Sequence, residues 1–161
     1  MSAVRAFTSG MGGSTWACDG KPNLVDGASI TRQYNSTPSG SYMNSLYNLG
    51  NSVGPSEPNG NYPDQLATGY LSNLPAGRPT ACFDYEIIAA TGPVTTEAKV
   101  VSAPPSPWNT LVSGVDSVGV GRKAVCVSGV ATQGWAGWQA ALQIWSAGVS
   151  YKLHRIAVCV Q

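Results

Sequence analysis

Glycine and proline interrupt this sequence so often that long regular elements have little room to form. Nineteen glycines and eleven prolines are spread over the 161 residues, and the stretches between them are short and either apolar or alternating. Short runs bounded by turn residues are typical of all-β proteins. The sequence therefore predicts one β-rich domain over residues 1–161, an antiparallel β-sandwich or jelly-roll-like fold with at most one or two short helices.

Eight segments predict strands because β-branched and aromatic residues dominate them. The clearest covers residues 83–87, where apolar and acidic residues alternate, so that one face would be buried and the other wet. Turn residues at 91–93 and at 146–148 each predict a β-hairpin between the strands that flank them. The predicted strands are 3–8, 28–34, 81–90, 94–103, 110–118, 123–130, 138–145 and 149–160.

Two segments fit a helix as well as a strand. Residues 63–71 begin with a proline, which suits a first helical turn, but Gly69 interrupts the pattern. Residues 135–145 place three tryptophans and a leucine on one helical face, yet residues 138–144 also alternate as a strand would. The turn that follows at 146–148 favours a strand in the second case.

Residues 34–80 differ in composition from the rest of the chain. They hold seven asparagines, seven serines, six glycines, six prolines and five tyrosines, with only three charged side chains. No apolar run in them is long enough for a core strand, so the sequence predicts a long loop insertion with at most one short helix. Loops of this length in a compact domain are usually functional or disordered, and the five tyrosines argue against disorder because they would be left in water.

Tyrosine combined with asparagine, serine and glycine is the composition of recognition loops, because tyrosine gives rigid contact area and the small polar residues give adaptable hydrogen bonds. Three roles are possible for this region: it binds neutral sugars, it forms contacts between subunits, or its tyrosines only pack the loop against the core. Trp108, which follows a proline-rich stretch, is the tryptophan most expected to be exposed. The candidate ligand- or partner-binding residues are Tyr34, Tyr42, Tyr47, Tyr62, Tyr70 and Trp108.

The cysteine count is even, which allows either two disulfides, with three connectivities open, or buried free thiols. The cysteines are widely spaced, so a zinc site is not expected. Cys126 and Cys159 both lie in the sequence Ala-Val-Cys-Val, and they would face each other if their strands were neighbours. The possible disulfide partners are Cys18, Cys82, Cys126 and Cys159.

Catalytic patterns are sparse. The single histidine, His154, lies inside a predicted strand, and no nucleophile-elbow or nucleotide-binding motif is present. Asp84 and Glu86 share one strand face and are the best pair for a glycosidase, although that placement is also typical of the solvent face of an amphipathic strand. We therefore expect a protein that is not an enzyme and needs no metal or cofactor.

The low charge content and the lack of long apolar runs exclude two further classes of function. Only 11% of residues are charged and the net charge is +1, with the nine basic residues scattered, so nucleic-acid binding is not expected. No apolar run approaches the ~20 residues of a membrane span, and the given N-terminus does not resemble a signal peptide.

A low-charge β-rich chain of this composition suits a surface exposed outside the cell. The first interpretation is a structural or adhesive module of a virus particle, a bacteriophage capsid-decoration or fibre and receptor-binding protein. Such a module would form a homo-oligomer or contact other virion proteins, and it could bind a cell-surface glycan. The alternative is a secreted, lectin-like β-sandwich with two disulfides that binds carbohydrate. A third interpretation is a small polysaccharide hydrolase.

Overall fold

The computed structural model describes residues 3–6, 17–19, 21, 23–26, 32–35, 44–46, 64–67, 71–102 and 109–161. These residues form strands and turns, and no helix occurs among them. The strands are β1 (Ala3–Ala6), β2 (Asn23–Asp26), β3 (Arg32–Asn35), β4 (Asn44–Leu46), β5 (Asp64–Ala67), β6 (Leu71–Leu74), β7 (Pro79–Ala89), β8 (Val94–Ser102), β9 (Thr110–Val118), β10 (Gly121–Ser128), β11 (Trp135–Ile144) and β12 (Ser150–Val160).

The strands form two sheets. Sheet A has the order β1-β10-β7-β12-β2, with β3 also paired to β12, and sheet B has the order β4-β5-β11-β8-β9, with β6 also paired to β11. Every pairing is antiparallel except that of β4 with β5. The prediction of an all-β protein built as a β-sandwich is confirmed.

The core lies between the two sheets and follows the period of two that the sequence shows. In β7, Phe83, Tyr85 and Ile87 are buried in the main core, while Asp84 and Glu86 point to the outer face, the side turned away from the other sheet. From sheet B, alternate residues of β8 and β11 fill the same core. Burial of so many branched and aromatic side chains is the main force that holds the sheets together.

The two short turns do not form the hairpins that the sequence predicted. β7 lies in sheet A and β8 in sheet B, so residues 91–93 connect the sheets. Residues 146–148 connect β11 of sheet B to β12 of sheet A in the same way. Each flanking strand has a buried face, and these faces meet across the core rather than lying side by side in one sheet. In contrast, β8 and β9, with 103–109 between them, are neighbours in sheet B.

Residues 34–80 were predicted to form a long loop insertion. Three short strands from this region, β4, β5 and β6, join sheet B, and the last two pair with β11. The helix considered for residues 63–71 is wrong where the structure describes it, because Asp64–Ala67 is a strand. A long central strand supplies hydrogen-bonding partners that override a weak local signal. The strand favoured for 138–145 is confirmed by β11.

The structure joins Cys18 to Cys159 and Cys82 to Cys126 by disulfides. Cys126 and Cys159 do not face each other, because β10 and β12 lie on opposite sides of β7. Cys126 is instead directly opposite Cys82 in the pairing of β10 with β7. With Ala157, the four cysteines form a second buried cluster, separate from the main core.

Candidate functional site: the outer face of sheet B

The outer face of sheet B carries polar residues where the inner face is apolar. Glu97 of β8 lies between Gln143 of β11 and Val115 of β9 in the strand register. The next row on the same face contains Lys99, with Ser113 of β9 beside it. Residues directly opposite each other in a sheet share a face. We call this surface, composed of Glu97, Lys99, Ser113, Gln139, Gln143 and Trp145, the polar face.

Trp145 is held at the border of the polar face by two contacts. Its backbone N–H donates to the carbonyl of Thr95 at 2.9 Å, and its indole Nε1 donates to Glu97 Oε1 at 3.3 Å. Ser113 Oγ donates to the other carboxylate oxygen, Glu97 Oε2, at 2.6 Å. Trp145 is 41% exposed, so the protein orients an aromatic residue and leaves a large part of it open to solvent.

Lys99 places a cation beside this carboxylate. Its Nζ lies 4.0 Å from Glu97 Oε1, and the two side chains are only 21% and 16% exposed. Burial lowers the pKa of Lys99, and the nearby charge of Glu97 partly offsets this by raising it. The pair therefore holds one positive and one negative charge in a partly desolvated environment, and the net charge of the two side chains is close to zero.

Two glutamines of β11 complete the polar face. Gln139 and Gln143 are each 5% exposed although they lie on the outer side of the sheet. Gln139 Nε2 has no hydrogen-bond partner in the part of the chain that the structure describes. A buried amide donor costs free energy unless an acceptor satisfies it.

Sheet A carries the carboxylates that the sequence singled out for glycoside cleavage. Arg122 binds Asp84 with two parallel hydrogen bonds, Nε to Oδ1 at 2.9 Å and a terminal nitrogen to Oδ2 at 2.8 Å. The hydrogen bond with Asp84 raises the pKa of Arg122. Glu86 Oε1 lies 2.9 Å from His154 Nε2. Each carboxylate thus has a basic partner on a neighbouring strand, an arrangement that links β7 to β10 and to β12.

The structure locates few of the predicted binding residues. Tyr34 lies in β3, opposite Tyr151 of β12 in sheet A, and is therefore not on the sheet that carries the polar face. The remaining five, Tyr42, Tyr47, Tyr62, Tyr70 and Trp108, lie outside the described residues.

The sequence neighbours of two of these residues lie in one row across sheet B. Leu71 is opposite Trp138, and Trp138 is opposite Ser102. The backbone N–H of Ser102 in turn donates to the carbonyl of Asn109 at 2.8 Å. Leu71 and Asn109, which follow Tyr70 and Trp108 in the sequence, therefore lie at the two ends of this row. The tyrosine-rich region is therefore connected to the same sheet as Trp145.

Trp145, Glu97 and Ser113 were not among the functional residues predicted from the sequence. A signal for Trp145 was present: if residues 138–144 alternate as a strand, Trp145 falls on the face opposite Trp138. Glu97 and Lys99 likewise alternate with the apolar residues of β8. No local feature of the sequence indicates which strands lie beside β8. The residues that meet Glu97 and Lys99 across the sheet therefore could not be predicted.

Among the described residues, no group of three or more histidine, cysteine, aspartate or glutamate side chains could hold a metal ion. The same part of the chain contains no helix that is long and apolar enough to span a membrane.

The chain was compared with protein families, curated proteins and solved structures. No family model and no curated protein matches the chain. One solved structure to which the chain is similar is described as "CBM4 structure and function", with 10% sequence identity and a TM-score of 0.47. The similarity covers 60% of this chain and 61% of that chain, so less than two thirds of its length is spanned.

Proposed function

We propose that this protein is a non-catalytic binding module that recognises neutral carbohydrate on the polar face of sheet B. The observation that carries the proposal is the partly exposed indole of Trp145, fixed by its hydrogen bond to Glu97. A partly exposed aromatic ring offers an apolar platform beside polar groups, and a sugar ring presents C–H groups on one face and hydroxyls around its edge.

The groups around Trp145 have the chemistry that hydroxyls need. The carboxylate of Glu97 lies beside the ring and accepts hydrogen bonds, and the ammonium group of Lys99 next to it donates them. Lys99 and Glu97 nearly cancel in charge, which suits an uncharged ligand. Because Glu97 already holds the indole and is itself bound by Ser113, little conformational freedom would be lost when a sugar binds.

The two disulfides support a location in an oxidising compartment, since such bonds persist mainly in secreted and surface-exposed proteins. This favours the lectin-like module over the virion component. The adhesive virion module remains a second proposal, favoured by large apolar side chains that are exposed, Val115 at 64% and Val120 at 61%. Subunit contacts in a particle would cover such residues. Native mass spectrometry separates the two, because a particle module should form a closed oligomer.

Affinity electrophoresis tests the proposed function. The protein is run in gels that contain a neutral polysaccharide, with hydroxyethylcellulose, xylan, galactomannan and dextran as separate probes. We expect at least one probe to retard the wild-type protein and Trp145→Ala to weaken that binding by roughly tenfold or more, because a stacked ring contributes on the order of 1–3 kcal/mol. Val120→Ala, at an exposed position outside the polar face, is the matched control and should bind like the wild type.

Two results would count against this function. Failure of every polysaccharide to retard the wild-type protein would overturn sugar binding, and unchanged retardation of Trp145→Ala would remove the polar face from it. Release of reducing ends by the wild type, abolished in Asp84→Asn or Glu86→Gln, would support the hydrolase interpretation instead.

A further inference from the structure

We propose that Glu97 is a specificity-determining residue that makes the polar face select uncharged sugars and reject sugars bearing a carboxylate. This inference rests on the proposed function, and it assigns to Glu97 a role in charge selection beyond holding Trp145. A glycan whose C6 hydroxymethyl groups are oxidised to carboxylates has the same rings and linkages as its neutral parent, so charge alone separates the two ligands.

The polar face contains very few charges. Among the outer-face positions of β8, β9 and β11, Glu97 and Lys99 are the ionisable residues. Asp116 of β9 is opposite Thr96, whose side chain is buried on the inner side, and therefore belongs to the other face. Among these described positions, one carboxylate and one ammonium group therefore set the charge beside Trp145.

Glu97 is engaged on both oxygens. Oε1 accepts from the indole of Trp145 at 3.3 Å and has Lys99 Nζ at 4.0 Å, while Oε2 accepts from Ser113 at 2.6 Å. The cation of Lys99 is therefore compensated before any ligand arrives. A uronate stacked on Trp145 would bring a second carboxylate close to Glu97, in a partly buried place where solvent screens charges poorly.

Removal of the charge of Glu97 should weaken this preference for neutral sugars. Glu97→Gln keeps an oxygen that can accept from the indole, but it leaves Lys99 as an uncompensated cation beside the ring. That cation would then attract a uronate. Lys99→Gln has the opposite effect, because the carboxylate of Glu97 would remain without its neighbouring positive charge.

The experiment measures the ratio of two affinities. Each neutral polysaccharide that binds the wild type is compared with its own C6-oxidised form, at low ionic strength, in affinity gels and by calorimetry. We expect the wild type to prefer the neutral form, Glu97→Gln to raise the uronate-to-neutral ratio by roughly fivefold, and Lys99→Gln to lower it. In Glu97→Gln/Lys99→Met the gain should disappear, and added salt should shrink all of these differences.

Ser113→Ala separates charge from orientation. It removes a hydrogen bond from Glu97 without changing any charge, so the affinities for both forms should change together and the ratio should stay constant. Thermal unfolding shows which variants fold. If Glu97→Gln does not fold, the expected decrease of the ratio in Lys99→Gln tests the same proposal with the opposite sign.

The possible failures are distinguishable. If the wild type binds no polysaccharide, the proposed function is wrong and this inference falls with it. If the wild type binds and Trp145→Ala does not, but the ratio is the same in wild type, Glu97→Gln and Lys99→Gln, sugar binding stands and the role of Glu97 in charge selection is overturned.

Discussion

Cys18 forms a disulfide with Cys159, which lies 141 residues later in the chain. The bond ties the turn at residues 17–19 to β12, and Cys18 Sγ also lies 3.6 Å from the carbonyl oxygen of Thr80 at the start of β7. On the neighbouring strands, Cys82 and Cys126 link β7 to β10. The two disulfides pack together on the outer side of sheet A, where they fasten three adjacent strands and an N-terminal turn independently of the main core.

We expect the long-range disulfide to contribute more stability than the short-range one. A disulfide that closes a longer loop removes more entropy from the unfolded chain, and sequence separations of 141 and 44 differ by about 1 kcal/mol on that basis. Each replacement by paired serines should cost about 2–5 kcal/mol. Urea unfolding of Cys18→Ser/Cys159→Ser and of Cys82→Ser/Cys126→Ser measures both losses. Equal losses, or a larger loss for the second pair, would contradict the expectation.

The ion pair of Asp84 with Arg122 should contribute measurable but modest stability. Its geometry is bidentate, which makes it one of the stronger kinds of pair, but the side chains are 19% and 30% exposed, so solvent weakens it. A double-mutant cycle with Asp84→Asn and Arg122→Gln should give a coupling of about 1 kcal/mol.

The pair formed by Glu86 and His154 provides the matched control for that cycle. It has a single contact, and Glu86 is more exposed, so Glu86→Gln with His154→Gln should give a smaller coupling at neutral pH. A coupling near zero for Asp84 with Arg122 would show that this geometry adds nothing to stability.

How much of this protein is predictable from its sequence depends on whether the signal is local. The alternation in β7 is visible in five consecutive residues, so its buried and exposed faces were predicted correctly. The assignment of strands to sheets was not predicted correctly. The three residues at 91–93 suit a hairpin within one sheet as well as they suit a connection between two sheets. Only packing across the core decides between these connections.

The candidate site could not be predicted because it depends on contacts between distant residues. The composition of residues 34–80 indicated their tyrosines as binding residues, whereas the contact between Trp145 and Glu97 joins residues 48 apart. That contact exists because β11 and β8 pair in a register that places Gln143 opposite Glu97. A register between two distant strands has no counterpart in local sequence, so neither residue could be identified as part of a site.

Gly77, which forms an isolated β-bridge with Thr132, should tolerate a side chain poorly. It exchanges two backbone hydrogen bonds with Thr132 and has a φ of +137°, which residues with a side chain rarely adopt. A Cβ at this position would overlap Cγ1 of Val160 and lie 2.9 Å from the carbonyl oxygen of Gln161.

We therefore expect Gly77→Ala to destabilise the protein by about 2–4 kcal/mol, through backbone strain together with displacement of the end of β12. Gly92→Ala is the matched control, since an added methyl group there meets nothing within 4 Å, and it should change stability by less than about 1 kcal/mol. Thermal or urea unfolding of the two variants tests the contrast. Equal midpoints would show that the end of β12 adapts to the methyl group.

Tyr85 should make stability fall at alkaline pH. Its side chain is almost fully buried, and its hydroxyl lies 3.2 Å from Thr96 Oγ1. Burial raises the pKa of Tyr85, the hydrogen bond with Thr96 lowers it, and Asp116 raises it further. Above pH 10, the unfolded chain therefore loses the phenolic proton while the folded protein keeps it. The stability that Tyr85 contributes is complete below pH 10 and is lost as the pH rises toward its folded pKa.

The measurement is urea unfolding of wild type and Tyr85→Phe between pH 8 and 11.5. Above pH 10 the wild type should lose stability relative to the variant by up to about 1.4 kcal/mol per pH unit. Lys99 acts in the opposite direction, because burial lowers its pKa and stability then rises with pH up to its unfolded value near 10.5. Its contribution is common to both proteins and cancels in the difference. Parallel profiles of the two proteins would show that the phenol of Tyr85 titrates alike in the folded and unfolded states.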